Sequence, residues 1–389
     1  MALATRKTLI SVGLESTYGV DAAPSNAVLV SAPEISPLEG STVERDFVKP
    51  FFGGSGMIRV ENFAKVTFDV EVAGAGTAGT APAYGILFKA CNFSETLLAS
   101  AISGTATTGG TNTITLDAGA SAIDEFYTGM TIEITGGTGS GQKGEIINYV
   151  GSSKLATIAT PWTTAPDSTS AFSIGANAMY IPNSDFGTAT GNTSVTIYFN
   201  VDGVRHVLLG ARGKPAIDLS VKTIPKIKFE FTGLLGTISD APAPAANFTA
   251  YQTPVTISTA NTTDINLLGY NDAVVDKLTF DIGNNVVYRQ LIGAESVFIT
   301  DRAVKGTVSI EANLVTTKDW WSVAKNASYG RFSVKHGQVS GHIFGITAPN
   351  VQLTDPKYSD SDGVRMMEFG TSFTPFGSGG NDEIRICVK

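Results

Sequence analysis

Phe63-Ala-Lys-Val-Thr-Phe-Asp-Val-Glu-Val72 alternates without a break. Val66, Phe68, Val70 and Val72 share one face, and Lys65, Thr67, Asp69 and Glu71 share the other. A period of two is the signature of a strand with one buried and one wetted face. A helix would scatter these side chains around its axis. The same alternation returns in Ser194–Val201, Ala216–Val221, Lys226–Gly233, Lys305–Ala312, Gly330–Gly337 and Val364–Phe373, so the fold class is mostly β. Composition agrees. Charged residues make up only 16% of the 389, and Gly is abundant at 42. That suits short strands joined by tight turns better than long surface helices, which draw on Glu, Lys and Arg. Asp202-Gly203 reads as a two-residue hairpin turn.

Two short stretches break the β pattern. Pro82–Cys91 places Leu87, Ala90 and Cys91 on one helical stripe, with Pro82 suited to a first turn. Asp319–Asn326, with Trp320 and Trp321, reads as a second short helix. With them an internal repeat emerges. Strand 64–72, helix 82–91, strand 194–201, its return at 204–209, and strands 216–221 and 226–233 form one series. Strand 305–312, helix 319–326, strand 330–337, its return at 341–346, and segments 350–354 and 364–373 form the other. A unit of this length is a duplicated domain rather than a solenoid repeat.

Residues 101–176 differ from their surroundings. Gly and Thr dominate, charge is sparse, and Asn112–Leu116, Met130–Thr135, Gly144–Val150 and Leu155–Ala159 each read as a strand. The expected organisation is a first domain from 1–100 and 178–236, a surface-exposed inserted β module at 101–177, a Pro/Ala linker at 237–249, and a second domain at 250–389. Glu15–Pro37, rich in Gly, Pro, Ser and Asn, reads as an extended arm. Phe51-Phe52-Gly-Gly-Ser-Gly closes the following loop as a flexible turn. Both segments are expected to gain order from a neighbouring subunit.

The formal net charge of −8 argues against wrapping nucleic acid, which requires a basic surface. It leaves room for a neutral or acidic wall past which DNA slides. Cys91 and Cys387 stand far apart outside any C-x-x-C pair and read as reduced, with a single bridge as the alternative. The N-terminus lacks the apolar run of a signal peptide and no stretch is long enough to span a bilayer, so no membrane partner is expected.

Catalytic signals are weak. His206, His336 and His342 are the only histidines, with no H-x-x-x-H spacing and no nearby cysteine. Gly136–Lys143 has glycines but lacks the spacing of a phosphate loop, and reads as a Gly-rich hairpin. Asp355, Asp360 and Asp362 read as a solvated loop rather than a calcium site. Trp320 and Trp321 read as a helix anchor plus a contact ring, with sugar stacking as the alternative. No catalytic residue, cofactor or metal is expected.

Val12–Asp21, Ala83–Thr96 with its preceding strand, and Asn381–Lys389, taken in order, resemble the major tail tube proteins of long-tailed (siphovirus-type) bacteriophages. The resemblance touches nearly the whole chain outside 101–176. It implies two tandem β-sandwich or split-barrel domains, each with a helix, whose sheets join those of neighbours into a barrel around a channel. It also implies stacked rings that form the conduit for DNA ejection. Two domains per chain favour a homotrimeric, pseudo-hexameric ring, with a hexamer as the alternative. Tape measure, baseplate and terminator proteins are implied partners, double-stranded DNA passes transiently, and the site is the virion tail after assembly in the host cytoplasm. Candidate lumen residues are Lys65, Thr67, Asp69 and Glu71, and Lys305, Thr307, Ser309 and Glu311. Candidate inter-subunit residues are Glu15, Tyr18, Phe51, Phe52, Trp320 and Trp321. The alternative function is another virion β protein, such as a tail appendage or sugar-binding decoration protein.

Overall fold

The computed structural model describes residues 3–158, 160–185, 193–376 and 379–389. Strand Phe63–Glu71 forms as its alternation dictates, with Val66, Phe68 and Val70 fully buried. It pairs antiparallel with Lys226–Asp240, placing Phe68 opposite Phe229, Val66 opposite Phe231 and Val70 opposite Ile227. These rings and branched chains make one apolar surface. Each buried Phe contributes roughly 1.5–3 kcal/mol.

On its other side the 63–71 strand pairs with Ser31–Glu39. This corrects the expectation of an unpacked arm over 15–37. Pro33 and Pro37 hid the strand, but an edge strand tolerates proline because its outward N–H groups need no partner. The preceding residues are also fixed. Ala27–Val28 pairs with Thr8–Leu14, and the Tyr198 hydroxyl donates to Asp21 Oδ2 at 2.7 Å.

Two sets of six strands follow the same pairing order. In the first, Thr8–Leu14 pairs with Val195–Val201, then Val204–Ser220, Lys226–Asp240, Phe63–Glu71 and Ser31–Glu39. In the second, Thr262–Leu267 pairs with Gly330–His336, then Phe344–Ser361, Val364–Phe373, Lys305–Glu311 and Val275–Asp281. The sets join through Val204–Ser220 and Val275–Asp281, with Ala216 opposite Asp281 and Ser220 opposite Lys277. The Asp202-Gly203 turn is present, both residues having positive φ. The sequence reading split 204–221 into two strands. The structure has one long strand with register shifts between His206 and Leu208 and between Leu209 and Arg212. Such bulges bend a strand without ending it.

Helices Gly85–Ala90 and Trp320–Lys325 occupy the expected places, one per set. Asp319 caps the second by accepting from the Ser322 backbone N–H at 2.9 Å, a contact type that contributes about 1 kcal/mol. Among the described residues no helix is long and apolar enough to cross a membrane.

The segment between the first helix and Val195–Val201 holds a seven-stranded sheet in the order 102–105, 171–174, 131–136, 143–150, 155–158, 113–115, 108–110. It has its own core, including Ile114, Tyr127, Ile132, Tyr149 and Phe172. Beneath it, Phe93–Leu98 pairs with Asn177–Pro182, which pairs with Arg385–Val388, which pairs with Phe344–Ser361. The C-terminal strand therefore stitches this segment's base to the second strand set. Arg385 reaches Glu125 at 3.3 Å, and Thr347 Oγ1 donates to Glu145 at 2.8 Å.

Candidate assembly surfaces

Antiparallel partners project to the same side of a sheet. Asp69 stands opposite Lys228 and Glu71 opposite Lys226; Lys228 then faces Ala216, and Lys226 faces Asp218. Across the junction, Ala216 faces Asp281 and Asp218 faces Thr279. Asp281 in turn faces Lys305, Thr279 faces Thr307, and Lys277 faces Ser309. All eight residues named for the channel wall therefore lie on one side of one continuous sheet. Asp69, Lys305 and Thr307 line a common depression on it. Ser309 is the most enclosed, at 8% exposure, between Lys277 and Glu368.

Charge on this face alternates. Lys65 pairs with Glu39 at 3.0 Å, Lys214 with Glu230 at 3.3 Å, Lys357 with Glu368 at 3.3 Å, and Lys226 approaches Asp69 at 3.9 Å. Half-exposed pairs of this kind contribute at most about 1 kcal/mol each. Their larger consequence is that acids and lysines are interspersed across the face, which therefore carries no continuous basic track.

The residues named for subunit contacts divide sharply. Glu15 is a hub inside the chain, accepting from the Gly19 and Gly210 backbones at 2.8 and 2.7 Å, from Ser194 Oγ at 2.7 Å and from Thr196 Oγ1 at 2.9 Å. Tyr18 accepts from the Val297 N–H at 2.6 Å beneath the Arg212 guanidinium, and burial raises its pKa. Trp320 is 1% exposed, with Nε1 donating to Asn313 at 2.8 Å. These three are satisfied within their own chain. A carboxylate with so many donors and a ring on the buried helix face are internal fasteners. Trp321 is 36% exposed, edge-on to Tyr358, and Phe51 and Phe52 stand in solvent.

Sequence reasoning missed two features. Strand 31–39 pairs on one side only, with 63–71, and residues 352–361 pair on one side only, with 364–373, among the described residues. Both ends of the long sheet are thus open edges. Each set also carries a hairpin before its alternating strand. Thr42–Glu44 with Met57–Arg59 projects into solvent, whereas Asn284–Leu291 with Ala294–Arg302 lies against the first set. Alternation in Asn284–Arg302 could have revealed the second hairpin; the first is too short to show any.

The catalytic alternatives find no geometry. His336 Nδ1 lies 2.9 Å from Thr262 Oγ1 and Nε2 lies 3.1 Å from the Val255 carbonyl, so the buried ring is fully engaged in packing. Gly136–Lys143 forms the turn between 131–136 and 143–150, with positive φ at Gly137, Gly139 and Gly141. Asp360 and Asp362 sit at a hairpin tip, where Asp360 accepts from the Gly363 N–H. Among the described residues no group of His, Cys, Asp and Glu could hold a metal. Cys91 and Cys387 are both buried and unbridged, and burial raises both thiol pKa values.

No curated protein matches the chain. The family model described as phage tail tube protein matches residues 5–374. With nearly its whole length matched, the chain belongs to the phage tail tube protein family, as a non-catalytic structural protein of the virion tail.

Proposed function

We propose that this chain is a duplicated tube domain, and that three copies close into a pseudo-hexameric ring whose stacking builds the DNA conduit. The observation that carries this is the junction between the strand sets. Within the chain, edge strand 275–281 of the second set pairs with residues 216–220 of the first. The corresponding edges, 31–39 of the first set and 352–361 of the second, have no such partner among the described residues.

The correspondence is specific to the residue. Thr232 faces Lys65 and Ser372 faces Lys305, so Lys65 and Lys305 take the same place. Counting back three residues brings Phe229 and Phe369 into correspondence, and each meets an aromatic ring of its own helix. In the same frame, Ala216, Asp218 and Ser220 match Lys357, Ser359 and Ser361, while Thr279 matches Glu34. The internal pairing of Asp218 with Thr279 therefore translates into Ser359 of one chain facing Glu34 of the next. Repeating that pairing closes the sheet, and closure removes the exposed edges that otherwise invite irregular aggregation.

The polar face, with Lys65, Thr67, Asp69, Glu71, Lys305, Thr307, Ser309 and Glu311, lines the lumen, while the apolar face packs on the helices. A wall of mixed sign lets DNA pass without accumulating phosphate contacts. The segment at 101–177 faces outward. Assembly occurs in the host cytoplasm, and the tube's ends and interior meet the terminator, baseplate and tape measure proteins. Cryo-EM of assembled tubes tests the reading. Three chains per ring with strand 31–39 paired across the chain boundary support it, and six chains per ring would contradict it.

A further inference from the structure

We infer that the hairpin formed by Thr42–Glu44 and Met57–Arg59 is an intermolecular clamp that docks on the second domain of the neighbouring chain in the same ring. The inference rests on the duplicated-domain ring proposed above and extends it to a surface outside the sheet.

The internal hairpin, Asn284–Arg302, supplies the template. Its Val297 N–H donates to the Tyr18 hydroxyl, and its Val297 carbonyl accepts from Arg212 Nη1. Phe298 lies under the same guanidinium, at 5.8 Å from ring centre to charge. At its base, Asn284 Nδ2 donates to the carbonyls of Cys91 and Gly213 at 2.8 and 3.0 Å. Tyr288 stacks on Phe63 at 4.7 Å. The second domain's hairpin thus reaches across the junction and fastens to the first domain.

The first domain's hairpin occupies the same place in the chain. Met57 and Ile58 precede Lys65 by eight and seven residues, as Val297 and Phe298 precede Lys305. Yet among the described residues its two strands are exposed along their whole length. Val43, Phe47, Val48, Phe51, Phe52 and Ile58 are all exposed, Phe52 at 106%. A two-stranded hairpin is marginal in water by itself, and an apolar patch of this kind marks an interaction surface.

Its receptor follows from the same correspondence. Arg212 faces Thr232 and Gln352 faces Ser372, so Gln352 stands where Arg212 stands. Asn326 caps the second helix as Cys91 caps the first. Phe376 lies four residues past Ser372, as Gly236 lies four past Thr232. Tyr329 and Phe376 are well exposed on this surface, giving the apolar hairpin an apolar seat. The occupant is a second copy of this chain, because only a neighbour related as the two internal domains are related brings residue 58 over residue 352.

Cysteine cross-linking in assembled tubes of the full chain tests this. Ile58→Cys with Gln352→Cys, oxidised with copper phenanthroline, is expected to give covalent species that stop at three chains, with each single variant staying monomeric. Glu34→Cys with Ser359→Cys serves as the control for ring closure. If the control closes to three chains and the 58/352 pair does not cross-link, the clamp is wrong and the ring stands. A 58/352 ladder running past three chains would place the hairpin on the next ring and overturn the clamp. If neither pair cross-links in intact tubes, the ring reading fails and takes the clamp with it.

Discussion

Phe88 meets Phe229 edge-on at 5.7 Å between ring centres, and this contact fixes the first helix to the strand beside 63–71. Trp320 meets Phe369 at 5.5 Å in the second set. The two contacts explain why each strand set keeps a helix only six residues long. Such a helix has little stability of its own, so it must be held by what it packs against.

Truncating either anchor is therefore expected to be severe. Phe88→Ala and Trp320→Ala should each cost about 3–5 kcal/mol, read from urea unfolding of the free subunit. Trp321→Ala, which removes a ring at the helix's outer side, should change stability by roughly 0.5 kcal/mol or less while the subunit is free. Equal losses for Trp320 and Trp321 would contradict the division between an internal and an outward ring.

Arg302 and Glu383 form an ion pair at 2.5 Å with both side chains largely enclosed. Arg302 also donates to the Asn183 carbonyl at 3.0 Å and to Asn381 at 3.1 Å. It closes the base of the internal hairpin. Glu383→Ala leaves a buried guanidinium without its carboxylate, a change that typically costs 3–5 kcal/mol. The expected result is a lower unfolding midpoint together with faster protease cleavage between 284 and 302. An unchanged cleavage rate would show that the hairpin is held without this pair.

Local pattern carried much of this structure. The 63–71 strand, the Asp202-Gly203 turn, both helices and the Gly-rich turn at 136–143 follow from alternation, spacing and turn chemistry, which need only neighbouring residues. Strand 31–39 was hidden because Pro33 and Pro37 read as breakers unless the strand is known to lie at an edge. The base strands 93–98 and 177–182 were hidden because 93–98 pairs with 177–182 across the whole inserted segment, and 177–182 pairs in turn with 385–388, far along the chain. The fate of Glu15 and Tyr18 was equally illegible, whereas Trp320 and Trp321 read as one helix anchor and one outward ring, as they are. An acid or aromatic ring in a Gly-rich segment looks the same whether its partner belongs to its own chain or to another.

His336 gives the fold an acid-sensitive point. Burial lowers its pKa below the ordinary value near 6.5, and the Val255 carbonyl opposes that shift only in part. His206 is shifted in the same direction by burial. With the folded pKa below the unfolded one, the unfolded chain binds more protons once pH falls toward 6.5. Stability is thus full above that value and declines through it until pH passes the folded pKa. The urea midpoint of the free subunit should be flat from pH 8 to pH 7 and fall as pH drops below 6.5. His336→Gln should flatten part of that decline, and a decline of undiminished slope in the variant would assign the sensitivity elsewhere.

The mixed-sign face makes a prediction about DNA. Asp69, Asp218 and Asp281 sit among Lys226, Lys228 and Lys305 on one side of the joined sheet. Replacing the three acids by lysine converts alternating charge into a basic track without touching the apolar face. Tubes of the triple variant should still assemble, because the apolar contacts and the strand edges are unchanged. When polymerised with linear double-stranded DNA, variant tubes should protect it from nuclease at low salt, and wild-type tubes should not. Protection should vanish steeply as salt rises, since each neutralised phosphate contributes a slope of about −0.9 in log affinity against log salt. A phage carrying the variant should eject DNA more slowly at low salt than at high salt. If variant and wild-type tubes leave DNA equally open to nuclease at every salt concentration, this face does not line the channel.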